Sequence, residues 1–180
     1  MDPVQERSQV LGQLEKAVTL LRQSMNPQLI PPLGAQIGFA IRGARDKDGV
    51  AAVVGRISVT GGGVHPGGPA TFGSDEEIAR IILTVMKFDP LRRAAALLRF
   101  SGRALEVLDK DLFLDCVPCD TAMVPLGIST MDWGIAACCR LDVPDVIYLS
   151  GARGAGTALI LLGEDPVDVA NNIIICSNRL

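Results

Sequence analysis

Residues 73–77 carry the side chains whose types and spacing most directly suggest chemistry. A glycine followed by a helix start leaves backbone N–H groups that can hold an anion. Ser74 has the position of an N-cap, and Glu77, three residues later, completes a capping box. Asp75 and Glu76 add two carboxylates beside the positive end of the helix dipole. The run therefore predicts a stable helix start that repels anions.

His65 is the only histidine, and it lies in the glycine-rich residues 61–69. A lone loop histidine is most often solvated, but an imidazole can also bind a ligand or move a proton near neutral pH. The glycine spacing matches neither a Walker A loop nor a dinucleotide-binding fingerprint. We interpret the segment as a flexible strand-to-helix connection, with a lid beside a ligand as the alternative. His65 is a candidate ligand contact.

The chain has five cysteines. Cys116 and Cys119 form a C-x-x-C pair, whereas Cys138 and Cys139 are adjacent on a predicted helix. Side chains of adjacent helical residues point about 100° apart, so two adjacent cysteines can hardly bind the same metal ion. The second C-x-x-C of a zinc ribbon is missing. We therefore predict small core residues and no metal, with zinc binding or a redox pair at Cys116 and Cys119 as alternatives.

Composition excludes several classes of function. The chain has 180 residues, of which 48% are hydrophobic, and this suits one compact domain. Its 17 basic and 20 acidic residues leave no basic footprint for nucleic acid. No stretch approaches the ~18 apolar residues of a membrane span, and the charged N-terminus does not resemble a signal peptide. We expect a soluble, cytoplasmic protein without direct nucleic-acid contact.

Helices and strands mix along the chain. The predicted helices are residues 4–24, about 74–87, most of 90–109, 129–140 and 166–172. The predicted strands are residues 35–42, 50–60, 112–117, 143–149 and 157–163. This order favours a three-layer α/β/α domain with a mixed sheet.

The N-terminal helix has an apolar face, because Leu11, Leu14, Val18 and Leu21 recur at helical spacing. Prolines stop it after residue 26. The helix either packs on the domain or ends a linker from an upstream domain. We accordingly divide the chain into residues 1–25, a helix or linker, and residues 26–180, the domain.

Four ordered blocks resemble the ThiN-type thiamine-phosphate synthase domain. They are LGAQIGFAIRGARDKDGVAAVVGRI, GPATFGSDEEIARIILTVMKFDPLRRAA, STMDWG at 129–134 and PDVIYLSG at 144–151. The resemblance implies an α/β/α fold like that of the AraD-type aldolases, with a mixed, largely antiparallel sheet. It also implies the joining of hydroxymethylpyrimidine diphosphate to thiazole phosphate, with release of pyrophosphate. Related domains follow a pyrimidine kinase domain or, as ligand sensors, a helix-turn-helix domain.

The resemblance also assigns residues. Arg56 matches an arginine implicated in catalysis, and its planar guanidinium suits phosphate oxygens. Asp132 lies at a helix start that the resemblance places near the ligand, where its carboxylate would accept a hydrogen bond from a pyrimidine amine. Together with Gly73, Ser74 and His65, these residues are the candidate ligand contacts. Arg56 is the catalytic candidate if the domain is an enzyme, and Mg²⁺ is then the candidate cofactor.

Several departures remove polar groups that such an enzyme uses. Glu77 replaces the family's catalytic histidine, and Leu97 replaces an asparagine. Residues 154–156 replace Gly-Lys-Glu, and residues 114–116 replace Phe-Asp-Arg. A carboxylate at close range repels a diphosphate by about 1 kcal/mol or more. The site is therefore poorly suited to the diphosphate substrate and compatible with a less charged ligand or a bound metal.

Three functions remain open. The first is a non-catalytic domain that binds thiamine phosphate or a pyrimidine or thiazole phosphate precursor and regulates transcription when joined to a DNA-binding domain. The second is an active thiamine-phosphate synthase with a shifted catalytic set that includes His65. The third is a structural or dimerisation module, which the high apolar content suggests. We also expect a homodimer.

Overall fold

The structure is a computed structural model that describes residues 2–119, 133–150 and 157–180. Its strands are β1 Gln36–Ala40, β2 Val50–Val53, β3 Ile57–Thr60, β4 Gly63–Pro66, β5 Ala70–Phe72, β6 Ala94–Leu98, β7 Cys116–Pro118, β8 Val146–Ser150 and β9 Thr157–Gly163. Its helices are α1 Pro3–Ser24, α2 Glu76–Met86, α3 Gly102–Glu106, α4 Trp133–Cys138 and α5 Pro166–Ser177. Short 3-10 turns cover Pro27–Leu29 and Lys47–Gly49, and a π turn, Val107–Asp111, follows α3.

One sheet of 7 strands, in the order β5-β2-β1-β6-β9-β8-β7, forms the frame. Its neighbouring strands are antiparallel, except for the parallel pair β7 and β8. Strands β3 and β4 form a separate antiparallel hairpin. The predicted mixed, largely antiparallel sheet is confirmed.

Helices cover both faces of this sheet. Side chains of successive strand residues alternate between the faces, so Ala94, Ala96 and Leu98 of β6 join the cluster with α1 and α5. Ala95 and Leu97 join the opposite cluster with α2. The predicted three-layer α/β/α architecture is confirmed. Among the described helices, none combines the length and apolar content that a membrane crossing needs.

Helix α1 packs on the domain. Asp2 caps its N-terminus by accepting a hydrogen bond from the Val4 N–H at 3.2 Å. The residues that it buries are Val10, Leu14, Ala17, Val18 and Leu21. Leu11, which the spacing placed on this face, lies at its half-buried edge. The contacts of α1 with α5 and the sheet therefore favour packing over a linker, while the division at residue 25 stays a prediction.

The predicted strand at residues 50–60 is interrupted. It breaks after Val53 because Gly55 and Arg56 adopt left-handed backbone angles, φ 72° and 60°. The predicted loop at residues 61–69 is wrong for Gly63–Pro66, which form strand β4. This strand turns back on β3 through Gly61 and Gly62, whose positive φ values suit a tight hairpin.

Most of residues 90–109 were expected to be helical, and this is wrong for Ala94–Leu98. The Ala-Leu composition favours a helix locally, but the segment pairs with β1 on one side and β9 on the other. Tertiary pairing and complete burial outweigh that weak propensity. A helix begins only at Gly102, after Ser101 as N-cap. The last helix, α5, continues to Ser177, five residues past the predicted end at 172.

Candidate functional site

Arg56 lies in the tight connection between β2 and β3, with φ 60°. Such a φ is uncommon for a residue other than glycine and persists where the surroundings hold it. The Arg56 N–H donates to the Val53 carbonyl at 3.2 Å, and the Arg56 carbonyl accepts from the Gly67 N–H at 2.7 Å. Gly34 packs so closely against the Arg56 side chain that a Cβ added at Gly34 would lie 2.9 Å from Arg56 Cβ. The backbone therefore fixes the start of the arginine side chain.

Two carboxylates at the start of α2 hold the Arg56 guanidinium. Nε donates to Asp75 Oδ2 at 2.9 Å, and Nη2 lies 3.5 Å from Asp75 Oδ1. Nη2 also donates to Glu77 Oε1 at 3.2 Å. The Asp75 side chain is 9% exposed and that of Glu77 is 55% exposed. The pair with Asp75 is thus shielded from water, whereas the pair with Glu77 is screened by solvent and contributes less.

Gln36 completes this cluster from inside β1. It is 1% exposed, and its Nε2 donates to both Asp75 Oδ2 and the Val53 carbonyl, each at 2.9 Å. Its Oε1 accepts from the N–H groups of Ile37 and Val53 at 3.0 and 2.9 Å. Because both ends of the amide have partners, its orientation is fixed. Sequence reasoning missed Gln36, although a glutamine in an otherwise apolar strand was a usable signal.

The electrostatics of the cluster favour its ionised form. Burial alone disfavours the charged carboxylate of Asp75. Hydrogen bonds from Gln36 and the Ile78 N–H, and then the charge of Arg56, outweigh burial and hold the pKa of Asp75 below its usual value. Burial likewise opposes the charge on Arg56, but Asp75 and Glu77 raise its pKa overall. The Arg56–Asp75 pair is therefore ionised at neutral pH.

The N-cap of α2 is Asp75, so the predicted cap at Ser74 is wrong. Asp75 Oδ1 accepts from the N–H groups of Glu77 and Ile78 at 3.0 and 3.1 Å. Aspartate caps helices as well as serine does, and Asp75 gains the contacts of the cluster in addition. The predicted capping box is also wrong, because the Glu77 side chain turns to Arg56.

Gly73 and Ser74 support the junction between β5 and α2. The Ser74 hydroxyl donates to the carbonyls of Ala52 and Thr71 at 2.9 and 3.0 Å. Gly73 has φ 76°, and a Cβ there would lie 2.9 Å from Asp48 Oδ1. Both residues therefore have a structural reason to be present, and their role as ligand contacts stays a prediction.

Arg56 and Glu77 line a pocket of about 500 Å³. It lies between α2, the ends of β6, β8 and β9, and the segment before β1. Its apolar lining consists of Pro31, Pro32, Leu33, Ile81, Leu97, Leu98, Leu149, Ala158 and Ile160, and Thr157 adds a hydroxyl. Mostly apolar walls with a few polar groups are typical of a small-molecule site.

Comparison with known proteins identifies the family. A family model described as thiamine-phosphate synthase ThiN matches residues 13–175. The chain belongs to the ThiN family. The bifunctional thiamine biosynthesis protein ThiDN of Methanocaldococcus jannaschii is 35% identical over 170 residues, which are 93% of this chain and 40% of that protein. The chain thus spans two fifths of the length of that relative.

Solved structures agree with the family and the fold. The ThiN domain is similar to the C-terminal domain of a phosphomethylpyrimidine kinase, with TM-score 0.84 and 26% identity over 95% of this chain and 100% of that one. An aldolase II superfamily protein from Pseudomonas syringae, with TM-score 0.52 and 11% identity over 99% of this chain and 76% of that one, shares the fold alone. The aldolase-like fold predicted from the sequence is confirmed.

The pocket of the ThiN domain brings together three positions that the sequence singled out, namely Arg56, Glu77 and Leu97. His65 lies elsewhere: it is exposed on strand β4 opposite Ser58, not in a loop, and it is not among the described residues that line the pocket. Asp132 and residues 154–156 lie outside the described residues.

The cysteines of the ThiN domain pack in or beside its core. Cys139 and Cys176 are buried, and burial raises the pKa of each thiol to about 11. Burial, followed by the charges of Asp109 and Asp115, raises the pKa of Cys116 to about 12. Protonated thiols are poor nucleophiles and metal ligands. Within residues 2–119, 133–150 and 157–180, no group of His, Cys, Asp or Glu side chains is arranged to hold a metal ion.

Proposed function

We propose that this ThiN domain binds thiamine phosphate, or a pyrimidine or thiazole phosphate precursor, without synthesising it, and acts as a ligand sensor. The observation that carries this proposal is the pairing of Arg56 with both Asp75 and Glu77 at the wall of the pocket. The pocket has room for a small heteroaromatic ring, and its apolar walls suit the faces of such a ring.

Synthesis requires more than room for a ring. Cations or N–H donors must stabilise the negative charge that develops on the departing diphosphate. Arg56 is the candidate, but its Nε and Nη2 already donate to carboxylates. One guanidinium and two carboxylates leave this cluster with a net charge of −1. A diphosphate that approaches Arg56 would meet the negative charges of both carboxylates, which favours binding without catalysis.

An active thiamine-phosphate synthase is the alternative, and membership of the ThiN family favours it. In that case Glu77, whose side chain is 55% exposed, would turn away so that Arg56 receives the diphosphate. Mg²⁺ would then neutralise further phosphate charge. A purely structural module is less favoured, because the pocket of about 500 Å³ is open rather than collapsed.

We further propose that the domain is a homodimer and regulates transcription when joined to a DNA-binding domain. Exposed apolar side chains support self-association, and those in the β2–β4 region are Val54 and Val59. Light scattering on the purified chain measures its mass in solution, and a monomer at all concentrations tested would contradict the dimer.

Two measurements on the same protein test the proposed function. Calorimetry with thiamine phosphate and each precursor measures binding, and we expect at least one to bind. Incubation with both precursors and Mg²⁺ measures synthesis, and we expect no product. Absence of binding at millimolar concentration would refute the sensor, whereas product that disappears in Arg56→Ala would establish the synthase.

A further inference from the structure

The charge of the pocket indicates which ligands it prefers. Building on the proposed function, we propose that Glu77 makes this pocket select a flat heteroaromatic ring that is cationic or carries N–H donors, and disfavour each further phosphate on the ligand. Glu77 would then determine specificity rather than merely mark a lost catalytic group.

Of the three acidic residues at the start of α2, Glu77 is the one that lines the pocket. Asp75 is nine-tenths buried, and its oxygens accept hydrogen bonds from the helix start, from Gln36 and from Arg56. Glu76 pairs with Lys47 at 3.0 Å, on the solvent side. The negative charge that meets a ligand is therefore that of Glu77.

Glu77 has hydrogen-bonding capacity left for a ligand. A carboxylate offers roughly four lone-pair positions. Its contact with Arg56 Nη2 at 3.2 Å is the one hydrogen bond that this carboxylate makes within residues 2–119, 133–150 and 157–180. A ring amine or a ring cation in the pocket would meet an acceptor that is charged and held in place by the guanidinium.

The apolar walls increase the effect of that charge once a ligand has displaced water from the pocket. Ile81, Leu97 and Ile160 line the pocket with atoms that do not solvate ions. Charges interact more strongly beside such surfaces than in bulk water. A ring gains by packing on these walls, whereas phosphates bring negative charge towards Glu77 and meet an Arg56 whose Nε and Nη2 already donate to carboxylates.

A series of three ligands with one ring system tests this selection. Calorimetry at low ionic strength with thiamine, thiamine phosphate and thiamine diphosphate compares ligands that differ in phosphate charge. One unit charge at close range changes affinity by about fivefold even with the dielectric constant of water. We therefore expect affinity to fall by about fivefold or more at each added phosphate, and the differences to shrink in high salt.

Glu77→Gln and Glu76→Gln form a matched pair of variants. Each removes one carboxylate from the first turn of α2, and both side chains are largely exposed, so both variants should fold. We expect Glu77→Gln to remove the preference for thiamine over its diphosphate, and Glu76→Gln to retain it. A native protein that binds the diphosphate most tightly, or equal effects of both substitutions, would refute the selection while leaving the proposed function standing. If none of the three ligands binds at millimolar concentration, the selection is refuted, and the proposed function fails as well only if neither the pyrimidine nor the thiazole phosphate precursor binds.

Discussion

Arg56 Nε lies 2.9 Å from Asp75 Oδ2, and this ion pair joins the β2–β3 connection to the start of α2. The two residues are 19 positions apart in the sequence. The carboxylate that caps the helix is thus also the one that positions the guanidinium at the pocket. Stability and the candidate site share this contact, so substitutions here are expected to affect both.

Asp75→Ala should destabilise the domain more than loss of a helix cap alone. Loss of an N-cap typically lowers the free energy of unfolding by about 1 kcal/mol. The substitution also leaves Arg56 without its shielded partner, which should lower it by about 2 kcal/mol more. Ser101→Ala, at the N-cap of α3, is the control because the Ser101 hydroxyl makes only the cap hydrogen bond with the Ala104 N–H among the described residues. Urea unfolding measures the free energy of unfolding of both variants. Equal losses of stability in the two variants would contradict an added contribution of the Arg56–Asp75 pair.

Stability should fall at acid pH in a way that depends on Asp75. Its folded-state pKa is lowered, so the unfolded chain binds more protons and the stabilisation is complete only above the unfolded value of about 4. It is lost as the pH falls from there through the folded-state pKa. Asp75→Asn retains a capping side chain and should show a flatter loss below about pH 4. Denaturant unfolding from pH 5 downwards tests this, and parallel curves would contradict it.

Gln36→Leu should cost about 2–3 kcal/mol of unfolding free energy, because unsatisfied buried polar groups are expensive. The substitution conserves approximate size but leaves the Val53 N–H and carbonyl without their side-chain partners. Gln23→Leu, on the exposed side of α1, is the control and should change stability by less than about 0.5 kcal/mol. Similar unfolding midpoints for both variants would show that the buried amide contributes little.

Gly34→Ala should destabilise the domain and weaken ligand binding together. Gly34 has φ 96°, and a Cβ there would come within 2.9 Å of Arg56 Cβ, so the arginine turn must move. Gly12→Ala in α1 is the control, because a Cβ at Gly12 has no neighbour within 4 Å. That change should stabilise the helix by about 1 kcal/mol. Thermal unfolding measures the change in stability, and calorimetry measures ligand binding. Unchanged ligand affinity in Gly34→Ala would show that the conformation of the Arg56 turn does not affect binding.

The sequence predicted those elements whose pattern is local. Helix α1 follows from apolar residues at helical spacing, and strand β9 matches its predicted range because a short apolar run bounded by glycine is typical of a buried strand. Four blocks in family order predicted the fold, and comparison with the family pattern singled out Arg56, Glu77 and Leu97, which the folded chain brings to one pocket.

Only the tertiary structure decided the contacts between distant parts of the chain. Ala94–Leu98 is a strand because β1 and β9 pair with it from both sides, and neither neighbour is adjacent in sequence. Asp75 caps α2 instead of Ser74 because it also meets Arg56 and Gln36, 19 and 39 residues away. Local propensities differ by fractions of a kcal/mol, whereas burial with satisfied hydrogen bonds contributes more. Such contacts exist only once the chain has folded, and they turned a predicted capping residue, Glu77, into part of the pocket wall.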